Sequence, residues 1–463
     1  MHITHRSRHV ARVGTVLLLM SAVSACNVNR LLDTKDKDTS PVGSITSAAG
    51  LPNARAGAIS QFQVGWAGSA ASAGSANEGQ INMTALLTDE YIDLETFPTR
   101  IAVDQRNTTP GNGTLRGNFL DLSQARVSAE RAAGLYQQFD STNVLRAEML
   151  NLAGYSYVVF AEDYCAGVPF DSIAPSGKVF YGQPLPTDSM YARAMKDFAL
   201  ALTIAAADSA VNGDPKGFEQ LSLSRVGQAR VLLDEGQFNA AATVAATVPL
   251  SFVYAIEGSS NSPREYNGVW YFTTQLAFSV ADNEGGNGLN FVSAADPRVP
   301  TMDIGGPGFS GVGQDFINEE IYTGPTSNTP LATGLEAALI VAEAQLHAGQ
   351  NGVWAGTLNT LRQTAFTSAI PALPADSTTD NSVADTSRVN VMFRERAFWL
   401  YLTGHRLSDM RRLIRQYGRT ANHVFPSGLD AVVGAPYGSS IEFPVSSDES
   451  NNPNSHGCLN NHA

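Results

Sequence analysis

Cysteine is scarce in this chain, three among 463 residues. No nucleophile elbow, metal-binding helix or glycine-rich phosphate loop can be found either, so none of the short motifs that announce a catalytic centre is present. Basic residues are in the minority, 30 against 43 acidic ones, for a net charge of −13. Such a surface repels a phosphate backbone, which argues against nucleic acid as a partner. Long apolar runs are nearly missing as well. The longest, Val13 to Val23, is roughly half of the ~20 residues that a membrane-spanning helix needs. Glu319 and Glu320 are adjacent acids that could suggest glycoside cleavage, but consecutive side chains seldom converge on one ligand. The expectation is a protein that is not an enzyme and needs no cofactor.

What is present begins with an export signal. Arg6, Arg8 and Arg12 precede the apolar run, and Ser24, Ala25 and Cys26 follow it. These are the basic region, apolar region and small-residue cleavage site of a signal peptide over residues 1–25. A thiol placed directly after small residues is the acceptor that lipidation requires, so Cys26 is expected to be the acylated N-terminus. Several acyl chains on one cysteine hold a protein at a membrane durably. Residues 26–44 are polar, charged and closed by Ser40-Pro41, and read as a flexible tether. Asn27 stands where an aspartate would favour retention at an inner membrane, so the expected address is the outer membrane. No compositional break divides residues 45–463, which are expected to form a single domain.

With Cys26 assigned to lipid, Cys165 and Cys458 remain as an even pair in a compartment that permits oxidation. They are expected to form a disulfide that ties the C-terminal tail to a loop after a helix; two free thiols are the alternative. His456 and His462 flank Cys458, but a second paired ligand cluster is missing, so no metal site is expected.

The middle of the chain reads as helices in pairs. Between Leu221 and Val248, Val226, Ala229, Leu232 and Leu233 fall on one helical face, and Phe238, Ala241, Val244 and Ala245 on another. Gly236 supplies the turn between them. A small residue in mid-helix, a polar turn and an aromatic just after it make a tetratricopeptide pattern. A second copy starts at Leu335, with Ala342 as the small residue and Gly349 as the turn. Weaker pairs are expected at 123–163 and around 189–209. The predicted fold is therefore mainly α, about four tetratricopeptide-like helix pairs with long irregular inserts and a few short strands. Residues 388–417 read as one helix rich in arginine, whose charges are expected to pair with Glu395, Asp409 and acids of neighbouring helices. Two loop-like stretches, 96–118 and the insert 251–332, are the candidates for ligand contact.

The segment from Arg394, RERAFWLYLTGHRLSDMRR, resembles the "RExELxxEGxRxxDLxR" helix of RagB/SusD-like nutrient-uptake lipoproteins. The tail IEFPVSSDESNNPN is similar to their closing "xxPIPxxExxxNPN". LTDEY at Leu87, AEDYCAGVPF, DPRVP at Asp296 and AEAQLHAG at Ala342 match further motifs in the family's order across nearly the whole mature chain. Departures are Thr403 for the family's glutamate before glycine, and Cys165-Ala166-Gly167 for its Gly-Asp. The resemblance implies a helical lipoprotein facing the cell exterior over a SusC-like TonB-dependent outer-membrane transporter, capturing an oligosaccharide or peptide without breaking a bond in it. A glycan site needs aromatic faces fringed with polar groups, and Arg264, Tyr266, Asn267, Trp270 and Tyr271 form such a group, Tyr266 and Trp270 foremost. The alternative for Trp270 and Tyr271 is a strand packed inward. The alternative for the whole protein is a non-catalytic tetratricopeptide scaffold of an outer-membrane assembly complex, which leaves the aromatic insert and the closing tail unexplained.

Overall fold

The computed structural model describes residues 45–72, 75–173, 178–212, 214–311, 313–365, 370–374 and 385–460. Residues 1–44, which hold the expected signal peptide, Cys26 and the expected tether, and His462 lie outside the described residues. Helices α1 (Leu51–Ala67), α2 (Gly79–Leu87) and α3 (Pro98–Asp104) lead into two long helices, α4 (Gly113–Phe139) and α5 (Val144–Asp163). Asn112 and Asn143 cap these two, each side-chain oxygen accepting from backbone N–H groups of the first turn, which satisfies donors that a helix start leaves open. Helices α6 (Thr187–Asn212), α7 (Pro215–Asp234) and α8 (Phe238–Ala245) follow, and later α10 (Gly334–His347) and α11 (Asn351–Thr364). A threonine cap starts α10: Thr333 Oγ1 accepts from the Glu336 N–H at 3.0 Å.

The two strongest helix pairs lie where the periodicity puts them. Gly236 and Gly349 adopt positive φ, +73° and +71°, and turn α7 into α8 and α10 into α11. Val226, Ala229 and Leu233 of α7 and Phe238, Ala241 and Ala245 of α8 are buried. The span 189–209 is not a pair but a single helix, α6, which packs between α5 and α7. The contact is a notch: Phe198 of α6 is fully buried, and a Cβ on Gly227 or Gly154 would stand 2.4 or 2.7 Å from its ring. Only glycine lets two helices close on that ring, and burying it contributes about 1.5–3 kcal/mol.

The arginine-rich stretch is two helices rather than one, α12 (Asp385–Trp399) and α13 (Arg406–Arg415). Leu402 and Gly404 break it with φ of +53° and +72°, and a Cβ at Gly404 would meet the Trp66 ring at 2.6 Å. Glu90 holds the break, its Oε1 accepting from the Leu402 N–H at 3.0 Å, while the Tyr322 hydroxyl donates to the Leu402 carbonyl at 2.9 Å. Arg396, Arg406, Arg411 and Arg412 pair with acids as the sequence suggests, while Arg394 donates to Asn290 Oδ1 and Arg415 to the Asp234 carbonyl. Arg406 forks onto Asp89 at 2.6 and 2.7 Å, Arg411 meets Glu442 at 2.7 Å, and Arg396 meets Asp409 at 2.8 Å. Arg298 reaches Glu395 at 2.9 Å.

Glu90 is fully buried, and desolvation pushes its carboxyl up to about 8, the Leu402 N–H and Arg406 opposing. A folded value above the ordinary ~4.3 means that its contribution to stability is complete below pH ~4 and is lost as pH rises through about 8. The melting temperature is therefore expected to fall between about pH 4 and pH 8, and Glu90→Gln, which keeps an acceptor for Leu402, to flatten part of that fall. Scanning fluorimetry across pH checks this; a variant that falls as steeply as its parent removes Glu90 as a cause.

The insert 251–332 is more structured than its composition suggests. Strands β1 (Tyr91–Asp93) and β3 (Phe278–Val280) pair antiparallel with Ile92 opposite Ser279. β2 (Val253–Ile256) pairs with β6 (Thr329–Thr333), and β4 (Thr301–Pro307) with β5 (Asp315–Glu319). Val269 to Phe272 belong to a helix, α9 (Gly268–Thr274), so neither a loop nor an inward-packed strand describes them. The stretch 96–118 likewise holds α3 and the start of α4. The Cys165 and Cys458 sulfurs are bonded, with Cα atoms 5.6 Å apart. The Leu459 N–H donates to the Ala166 carbonyl beside them at 2.7 Å.

Candidate functional site

The candidate ligand residues sit on a turn, Pro263–Glu265, and on α9 directly after it. Asn267 is the cap of α9. Its Oδ1 accepts from the Trp270 N–H at 3.0 Å, and its Nδ2 donates to the Ser327 carbonyl at 2.9 Å and to Thr329 Oγ1 at 3.2 Å. Buried and committed on both side-chain atoms, Asn267 is a positioning residue and offers a ligand nothing. The helix it starts places Trp270 one turn after Tyr266, and the two half-buried rings meet edge to face with centroids 6.1 Å apart. Arg264 donates to Gln61 Oε1 of α1 at 2.7 Å and sits near Asp121, whose carboxyl burial pushes up to about 6 although Arg264 opposes the shift. Tyr271 is half-buried and packs on Phe272 at 5.4 Å. Two aromatic faces with an arginine, an amide and a carboxylate alongside are thus brought together, and Trp270 and Tyr271 both pack partly against the core.

The two loop-like stretches meet at a second place. The Phe309 N–H donates to the Leu276 carbonyl and the Ser310 N–H to the Leu94 carbonyl, both at 2.9 Å. This anchors Phe309 beside Leu94 and Leu276, and just before α3 Phe97 stands over the Arg100 guanidinium at 4.7 Å. Phe97 is 50% and Phe309 59% exposed. Sequence reading had the segments but not these rings, because a single phenylalanine between polar residues has no periodicity. Glu319 and Glu320 do not converge: Glu319 Oε2 accepts from the Ile321 and Tyr322 N–H groups, and Glu320 accepts from Asn318.

Beside Tyr266 lies a cavity of about 610 Å³ bounded by α1, α5, α7 and β2. Gln63 belongs to both places, lining the cavity while its Nε2 donates to the Tyr266 carbonyl at 2.9 Å. Its polar wall residues, Arg55, Glu148, Lys216 and Tyr254, were not legible in sequence. They come from four distant elements, and each alone resembles ordinary surface charge.

No protein-family model matches the chain, and no curated protein matches it in sequence. Solved structures do match in fold. A SusD superfamily protein from Bacteroides thetaiotaomicron is similar with a TM-score of 0.63 at 14% identity, over 90% of this chain and 100% of that one. A SusD-like carbohydrate binding protein from Bacteroides vulgatus gives 0.61 at 12% identity, over 89% and 98%. A SusD/RagB family protein from Bacteroides thetaiotaomicron gives 0.60 at 11%, over 87% and 94%. The fold is SusD-like: mainly helical, with a few two-stranded sheets. Among the described residues no helix is long and apolar enough to cross a membrane.

Proposed function

We propose that this chain is a lipid-anchored outer-membrane protein that captures an oligosaccharide and hands it to a SusC-like TonB-dependent transporter, breaking no bond itself. The observation that carries the reading is the Tyr266–Trp270 pair, two half-exposed rings held by a capped helix and bordered by Arg264 and Gln61. Sugar rings present flat C–H faces to aromatics and hydroxyls to such a polar fringe. The likeness to a SusD-like carbohydrate binding protein supports the ligand class, and the order of the sequence motifs supports the transporter as partner. Acylation at Cys26 supplies the anchor.

Trp270→Ala is expected to weaken binding of a recognised glycan about tenfold or more, or ~1.4 kcal/mol. The melting temperature should change little, because the ring is only half-buried. Calorimetric titration with a glycan panel and a thermal melt test this together. A large drop in melting temperature at unchanged affinity would assign the ring to packing. Co-purification of a TonB-dependent channel with the lipidated protein tests the partner.

A further inference from the structure

The charge on the wall of the 610 Å³ cavity is unbalanced. Its two cations are already engaged from within: Arg55 Nη2 donates to Glu148 Oε1 at 2.9 Å, and Lys216 Nζ lies 3.0 Å from Glu219 and 3.8 Å from Glu148. The Tyr254 hydroxyl adds a third donor to Glu148 at 3.2 Å. Glu257 and Glu265 line the same cavity, so four carboxylates face two cations. Gln63, 3% exposed, spends its Nε2 on the Gly68 and Tyr266 carbonyls at 2.7 and 2.9 Å while its Oε1 has no donor. That wall thus offers acceptors and an excess of negative charge, and a cleft concentrates the field of such charge. Val253, 58% exposed at the rim, adds an apolar face.

We propose that this cavity binds a primary ammonium group, carried by an amino sugar or by a peptide's free N-terminus, with Glu257 and Glu265 as its counter-charges and Gln63 Oε1 as an acceptor. The inference rests on the capture role and narrows its ligand: a glycan bearing free amines is admitted, and one bearing uronic or sulfate groups is repelled. A pocket of this size lies within the range of about 300–1,000 Å³ common for small ligands, and its neighbour, the Tyr266–Trp270 pair, would stack the adjoining ring.

The experiment is calorimetric titration of the mature chain with glucosamine trisaccharide, its fully N-acetylated counterpart, galacturonic acid trisaccharide, trialanine and N-acetyl-trialanine. An amine-bearing probe is expected to bind at least about tenfold more tightly than its acetylated form, and the galacturonate not at all. Sugar and peptide arms identify the source of the amine. In Glu257→Gln/Glu265→Gln the amine preference should vanish while affinity for the acetylated probe stays. Equal affinity for free and acetylated probes, or a preference that survives in the double variant, overturns the inference. If acetylated sugar binds through Trp270 without any amine preference, the inference falls and the capture of glycans stands. If trialanine alone binds, with the amine preference, the glycan reading falls and the cavity assignment stands. If no probe binds, both fall.

Discussion

Arg412→Leu is expected to cost about 3–5 kcal/mol of folding stability, the range for removing one partner of a buried ion pair. The guanidinium is 1% exposed. It donates to Glu343 Oε2 of α10 at 2.9 Å and to Asp409 Oδ1 of its own helix at 2.8 Å, and lies 3.5 Å from Asp234 at the end of α7. The Phe393 ring of α12 covers it at 5.1 Å. One side chain therefore joins all three of the later helix pairs. Burial alone pushes the Asp409 carboxyl up, yet Arg396 and Arg412 outweigh it and hold that group well below the usual carboxylate range. Leucine would leave Glu343 with the Tyr417 hydroxyl and a more distant Arg396, and Asp234 with the Ser408 hydroxyl, in place of the guanidinium between them. Urea unfolding gives the number. The double variant Arg412→Leu/Glu343→Leu should recover part of the loss, since neighbours in one network do not add; a single-variant loss under about 1 kcal/mol would mean that solvent reaches the network.

The second large effect is expected on opening the Cys165–Cys458 bond. The half-cystines are 293 residues apart in sequence, so the cross-link closes a loop of well over half the unfolded chain, and Cys458→Ala should lose about 2–4 kcal/mol. The loss is held to that range because the tail keeps other anchors. Asn452 Nδ2 donates to Asp171 Oδ1 at 3.0 Å, and the Cys165 N–H donates to the Phe443 carbonyl at 2.9 Å. Urea midpoints of the oxidised parent and the variant, compared at equal slope, measure it. A shift below about 0.5 kcal/mol would show that those hydrogen bonds hold the tail without the sulfurs.

The sequence motifs turn out to be addressed to one another. Asp89 of LTDEY takes Arg406, Glu343 of AEAQLHAG takes Arg412, Glu442 of the closing tail takes Arg411, and Arg298 of DPRVP takes Glu395. They were legible because a buried charge must have a partner, which restricts the residues on both sides. The helix pairs were legible because their apolar faces repeat at three and four. What escaped reading had weaker local signals. Pro98 at a first helical turn and Asn112 at a cap marked helices inside 96–118, but polar neighbours masked the period. Asn267 likewise marked a helix start, against the strand preference of Val269 to Phe272. The break at Leu402 and Gly404 depends on Glu90 and Trp66, more than 300 residues earlier. The cavity depends on four elements whose meeting no short window contains.

The clasp on Leu402 has a consequence for how the chain is made. Glu90 and its neighbour Asp89 are among the first folded residues to leave a ribosome, while the groups that complete them, the Leu402 N–H and the Arg406 guanidinium, come more than 300 positions later. Until then Glu90 and Asp89 lack these partners and the regions they join cannot close. Contacts of such long separation delay closure. The two halves of this clasp can therefore meet only once nearly all of the described residues have been made.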